Sequence, residues 1–228
     1  MHPARLDHPH RPLVPRPALW TLAALTLANA VLLVLVAVRW TPLTDMDADV
    51  ARSLHRAAVA DPGLTHANRI LTDWVWDPWT MRLLCALVVV YLFVRLREAV
   101  LAVWVAVTCA AGTLLQQVLK ATLDRPRPVW PDPVDSAHYA AYPSGHAMTA
   151  VVVLGLVLWL LRTHGAPAAL YRAALAVTVV SVLGVGLTRL WLGVHWPSDV
   201  LGGWLLGALT VAWSTTAYDT WSARRGRP

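Results

Sequence analysis

Six runs of mainly apolar residues constrain this chain more than any other feature of it. They cover approximately residues 18–38, 79–94, 98–118, 146–161, 168–187 and 200–218. A helix that crosses the hydrocarbon layer of a bilayer needs about 20 such residues, and about 17 suffice. A soluble domain carries roughly 25% charged residues, whereas this chain has 14% charged and 57% hydrophobic residues. The fold class that follows is all-α: a polytopic membrane protein, folded as a six-helix transmembrane bundle. The second and fourth runs are short, so their helices draw on flanking residues such as Asp77, Arg82, Ser144 and Arg162.

Three segments divide the chain. Residues 1–17 are rich in proline and arginine and are expected to be an irregular cytoplasmic segment. Residues 18–218 form the membrane domain, and residues 219–228 a basic cytoplasmic tail. The first apolar run exceeds the about 7–15 residues of a signal-peptide core, so it is read as a retained span. Between the first two runs lies a polar stretch, residues 39–77. Val50, Leu54, Ala57 and Ala58, then Ile70, Leu71 and Trp74, recur at roughly helical spacing, and Asp61-Pro62-Gly63 separates the two sets. Short interfacial helices are expected there, on the membrane surface or against the bundle, with Trp74, Trp76 and Trp79 at headgroup depth.

The formal net charge of +6 comes mostly from arginine. No long basic run or interleaved aromatic–basic patch supports a nucleic-acid partner. Discounting the long first loop and the basic residues of the polar clusters below, the remaining arginines favour the side that holds both termini. That side is expected to be cytoplasmic. Cys85 and Cys109 lie inside apolar runs and are expected to be two buried hydrophobes without a disulfide.

Three polar clusters interrupt the apolar sequence, and the alternation of spans puts all three on the extracytoplasmic side. The first, residues 120–128, carries Lys120 and, seven positions on, Arg127. Each of Arg125 and Arg127 precedes a proline, which keeps it extended. An ammonium and a guanidinium suit phosphate oxygens, or equally the headgroups of surrounding lipid. Arg125 is read first as a headgroup contact, with a second phosphate as the other reading. In the second cluster, Pro143-Ser144-Gly145-His146 leads into the fourth run. Ser144 is placed as N-cap, Gly145 allows close backbone approach, and the N–H groups of the helix start form an anion site beside His146. The third cluster holds Arg189, His195 and Asp199, with Ser198 expected to cap the last helix. A carboxylate on one imidazole nitrogen leaves the other free to attack; a loop salt bridge is the plainer alternative.

Lys120, Arg127 and Pro128, then Pro143 to His146, then Thr188, Arg189, His195 and Asp199 together resemble the type-2 phosphatidic-acid phosphatase superfamily. The resemblance covers roughly residues 73–218, with threonine at 188 where the family more often has serine. It implies a phosphohistidine on His195 with Asp199 orienting it, and His146 as general acid and base. Phosphate would be held by Lys120, Arg127, Ser144, Gly145 and Arg189, with no metal and no cofactor. The expected function is a metal-independent lipid phosphatase on the outer face of the cytoplasmic membrane. Polyprenyl diphosphate, phosphatidic acid and phosphatidylglycerol phosphate are the candidate partners. A lipid phosphotransferase using the same histidine, and a non-enzymatic lipid-binding or transport protein, remain alternatives. Asp124, Asp132 and Asp135 are read as a solvated loop.

Overall fold

A computed structural model describes Val14 and residues 16–225; most of the expected N-terminal segment lies outside the described residues. The chain folds as α1 (Arg16–Ala37), α2 (Thr41–Ala60), α3 (Pro62–Ile70), α4 (Pro78–Val94), α5 (Ala99–Leu123), α6 (Gly145–Thr163), α7 (Ala168–Trp191) and α8 (Pro197–Arg225). A π-helical turn, Leu71–Val75, joins α3 to α4. No strand is formed among the described residues. Among the described residues six helices are long and apolar enough to cross a membrane, the second of them being the α3–α4 stretch taken whole. At 1.5 Å per residue, α5 is ~38 Å long and exceeds the ~30 Å layer, and α6, at ~28 Å, is close to it and above the minimum of about 17 residues. The expected tail does not separate from the last span: α8 runs on to Arg225, whose guanidinium lies 4.3 Å from the Trp221 ring.

Helix α6 is the hub. It packs against α8, α7, α4 and α5, while α1 packs on α8. Glycine makes the central contact close. A Cβ on Gly203 of α8 would sit 2.7 Å from the Ser144 carbonyl oxygen, and one on Gly207 would sit 3.0 Å from that of Met148. Around the hub Leu27, Val34, Leu83, Leu87, Val103, Val107 and Leu114 point outward and stay exposed. Such a surface is unfavourable in water and matched to lipid. Cys85 and Cys109 are free thiols whose sulfurs face each other at 2.9 Å across α4 and α5.

Because the long helices alternate in direction, the C-terminal ends of α1, α5 and α7 meet the N-terminal ends of α4, α6 and α8. All three polar clusters sit at this end. Arg95, Arg97, Arg162, Arg172 and Arg224 sit at the other.

Helices α2 and α3 cover the cluster end. The buried residues are Asp47, Ala51, His55 and Ala58 on α2 and Thr65 on α3, whereas Met46, Val50 and Val59 are exposed. Small and polar side chains make the buried contact, joined by Leu43 packed on the core. His55 stacks on Trp130 at 4.1 Å, and Trp130 Nε1 donates to the Gly193 carbonyl at 2.8 Å. Trp74 and Trp79 are exposed as expected, but Trp76 is buried against Gly184. There a Cβ would collide with the indole, so glycine is required.

Candidate active site

The three clusters close into one cleft of about 360 Å³ whose lining includes Lys120, Arg127, Gly145, His146, Arg189 and His195. This is the size of an ordinary ligand pocket. Lys120 lies in the last turn of α5, 8% exposed, and its ammonium donates to the Ala140 carbonyl. Asp124 ends the helix in the left-handed region. The chain then runs extended through Pro126 and Pro128, which carries Arg127 back over the cleft. Arg127 donates from Nε to Tyr139 O at 2.8 Å and from Nη1 to Val194 O at 2.6 Å. These carbonyls fix the plane of the guanidinium.

His195 is 2% exposed and is held from both sides. Its Nδ1 lies 3.4 Å from Asp199 Oδ2, and its Nε2 lies 3.2 Å from Arg127 Nη1. Burial, followed by the charges of Arg127, Arg189 and Lys120, holds the imidazole pKa well below the usual range. The ring is therefore neutral at pH 7, with one nitrogen oriented by a carboxylate and the other available as a nucleophile. The Arg127 guanidinium is pushed down to about 10 by burial and then by Arg189; it stays a cation. Tyr142 is pushed up to about 12, by burial first and the Asp199 carboxylate next, and stays neutral.

Asp199 differs in its bonding from expectation. Its Oδ2 accepts from the Trp196 N–H at 2.9 Å, reaching back to the start of α8, so Asp199 and not Ser198 caps that helix. Ser198 instead donates from N to Asp47 Oδ1 at 2.9 Å and from Oγ to Asp47 Oδ2.

Ser144 occupies the N-cap position of α6, but its hydroxyl is buried and makes no capping bond. Its N–H is spent on the Asp199 carbonyl at 2.9 Å. The open N–H groups of the anion site are thus those of the first turn, from Gly145 onward. A Cβ on Gly145 would sit 2.6 Å from Gln116 Nε2, so a larger residue there would have to displace the end of that side chain. Arg189 is 4% exposed, and its Nη1 bonds Thr72 Oγ1 at 3.3 Å and lies 3.8 Å from Asp135 Oδ2.

All eight expected site residues thus surround one end of the bundle, with Ser144 and Asp199 behind the cleft lining. Sequence reasoning missed its acidic rim. Asp73, Asp77 and Asp135 line the cleft, and Asp77 Oδ2 lies 3.9 Å from His146 Nε2. Asp135 is therefore part of the site and not of a solvated loop, while Asp132 reaches away to His55 at 3.0 Å. Arg125 is neither a headgroup contact nor a cleft residue; it is bound to two carboxylates. Among the described residues no three His, Cys, Asp or Glu side chains converge as a metal site.

Residues 101–223 match the PAP2 superfamily. The chain belongs to that superfamily. It is 37% identical over 98 residues to phosphatidylglycerophosphatase B of Bacillus subtilis (strain 168), covering 42% of this chain and 47% of that protein. It is 30% identical over 145 residues to undecaprenyl-diphosphatase of Sulfolobus acidocaldarius, covering 60% of each. The matched stretches thus span about half to three fifths of these relatives. In fold it is similar to the crystal structure of a transmembrane PAP2 type phosphatidylglycerolphosphate phosphatase from Bacillus subtilis. The TM-score is 0.77 at 23% identity, over 90% of this chain and 98% of that one. PAP2 membership fits the three clusters, all of which lie within or directly beside the closed end of α5–α8.

Proposed function

We propose that this PAP2 protein is a membrane lipid phosphatase working through a phosphohistidine on His195. The observation that carries this reading is the placement of a neutral, carboxylate-oriented imidazole against the Arg127 guanidinium, Nε2 to Nη1 at 3.2 Å. An anion held by that cation presents its phosphorus to the nitrogen lone pair.

In the first step Nε2 attacks phosphorus in line, and the bond from phosphorus to the leaving oxygen breaks. The imidazolium of His146 gives its proton to that oxygen. Asp77 Oδ2 lies 3.9 Å from His146 Nε2. Lys120, Arg127, Arg189 and the N–H groups at the start of α6 meet the charge on the phosphoryl oxygens. In the second step a water gives its proton to His146 and attacks phosphorus. The N–P bond breaks, the electron pair returns to Nε2, and inorganic phosphate leaves. Cations supply the neutralisation at each stage, so the reaction is assigned no metal.

The site is assigned to the extracytoplasmic face. The arginines at the opposite end of the bundle suit the cytoplasmic side, which puts both termini there. Polyprenyl diphosphate, phosphatidic acid and phosphatidylglycerol phosphate are the substrates to try. The test is phosphate release by detergent-purified protein in EDTA, on each lipid and on a soluble phosphate ester, with H195A alongside. Release that is insensitive to EDTA and lost in H195A is expected. No release from any substrate by folded protein overturns the reading.

A further inference from the structure

The geometry points to Asp47 and Arg125 as positioning residues that hold the Asp199 carboxylate, and through it His195, in place from the first extramembrane helix. Arg125 is a bridge between two buried acids. Its Nη1 donates to Asp199 Oδ1 at 2.6 Å and to Ser198 Oγ at 2.7 Å, and its Nη2 donates to Asp47 Oδ2 at 2.7 Å. Asp47 is 1% exposed and Asp199 0%. Asp47 also accepts from the Ser198 N–H and hydroxyl, so it grips the same turn of α8 that carries Asp199.

Each contact has a consequence for His195. Asp199 Oδ2 serves the Trp196 N–H and His195 Nδ1, and only Oδ1 is left to fix the rotation of the carboxylate. Arg125 occupies Oδ1. One guanidinium beside Asp199 alone would neutralise that carboxylate and leave no net charge for His195. Asp47 supplies the second negative charge, so the trio carries a net charge of −1, which remains available to the imidazole. A guanidinium can bridge two carboxylates in this way because its nitrogens form a rigid planar fork; an ammonium cannot.

Asp47 lies on α2, outside the 101–223 stretch that carries the superfamily match. It explains why α2 turns a polar face inward: that face reaches the catalytic end of α8. Arg125 and Arg127 thus divide the work, one behind Asp199 and one in front of His195.

This inference rests on His195 being the nucleophile, and its test separates the two. D47N keeps the size of the side chain but sets an amide donor against either Arg125 or Ser198. R125K keeps the charge and loses the bridge. With lipid substrate, each is expected to lower kcat about 10- to 100-fold, the usual effect of losing an outer partner of an oriented histidine, with KM within about twofold. Binding by orthovanadate and by inorganic phosphate is then measured by thermal shift, without turnover. Orthovanadate imitates the five-coordinate transition state and needs an aligned His195; phosphate needs only the cations. Orthovanadate affinity is expected to fall by a similar factor while phosphate affinity holds. Equal loss of both would make Arg125 a phosphate ligand, and loss of neither in folded protein would make the pair purely structural; either overturns the inference. If R125K elutes as aggregate, D47N decides alone, and if both do, S198A, which removes one bond to Asp47 and one to Arg125, is expected to give the smaller split of the same sign. Wild-type protein that hydrolyses no lipid overturns the proposed function, and the vanadate–phosphate split still decides the positioning role.

Discussion

Arg127 Nη1 and His195 Nε2 lie 3.2 Å apart, so a cation and an imidazole nitrogen address one point of the cleft. Val194 O and Tyr139 O hold that guanidinium from the protein side. R127A is expected to lower kcat/KM about 10²- to 10³-fold, the scale for a preorganised donor at developing charge. R127K is expected to recover little of it, since one ammonium cannot keep both carbonyls and the anion. Steady-state kinetics on the preferred lipid checks both.

His146 has a different signature. A general acid contributes about 10²- to 10⁴-fold, but only when the leaving oxygen needs a proton. H146A is expected to lose that factor with a lipid alcohol as leaving group and much less of it with p-nitrophenolate. An equal loss on both substrates would contradict the acid role. The comparison is of initial rates, before the second step limits turnover.

Acid should destabilise the protein through His195. Its folded pKa lies below the usual ~6.5, so below that value the unfolded chain binds a proton that the folded chain refuses. Stability is then complete above pH 6.5 and declines as pH falls toward the folded pKa. His164 acts in the opposite sense: its carbonyl and Glu98 partners raise its pKa, so its contribution is present below 6.5 and fades as pH rises through the raised value. H195Q is expected to flatten the fall in melting temperature between pH 7 and 5, and H164Q is expected not to.

Helix α6 positions the anion site only if α8 can lie against it. G203A puts a methyl 2.7 Å from the Ser144 carbonyl oxygen and 3.1 Å from the Met148 nitrogen. Backbone must move, at a cost of about 1–3 kcal/mol for overpacking. A lower melting temperature with reduced kcat is expected, because Ser144 and Gly145 move with the strain. G165A, where nothing lies within 4 Å of the added methyl, isolates the positive-φ penalty from crowding and is expected to leave kcat unchanged.

Most of the bundle was legible because lipid imposes a one-dimensional rule. Runs of apolar residues gave helices within about five residues of α1 and α4–α7 and the start of α8, which continues seven residues past the expected 218, and the polar clusters marked helix ends. Motif spacing brought Lys120, Arg127, His146, Arg189, His195 and Asp199 to one end for the same reason. What could not be read was pairing over long separations. Asp47 looks like one more acid in an acidic stretch, and nothing local tells that it meets Ser198 and Arg125. Burial on α2, at Asp47, Ala51, His55 and Ala58, follows small size and hydrogen bonding, which apolar periodicity does not register. Ser198 and Asp199 are adjacent and both are good capping residues; which one caps depends on Asp47 occupying the other.

The central claim is a covalent bond between His195 and phosphorus. H146A turning over p-nitrophenyl phosphate, whose leaving group needs no proton while the water step still needs His146, would be quenched at high pH, digested and analysed by mass spectrometry. A phosphoryl group on the peptide at His195, absent when substrate is omitted, is the predicted result. Phosphate released by active protein with His195 unmodified at every time point, or a phosphoryl group on another residue, would contradict the account.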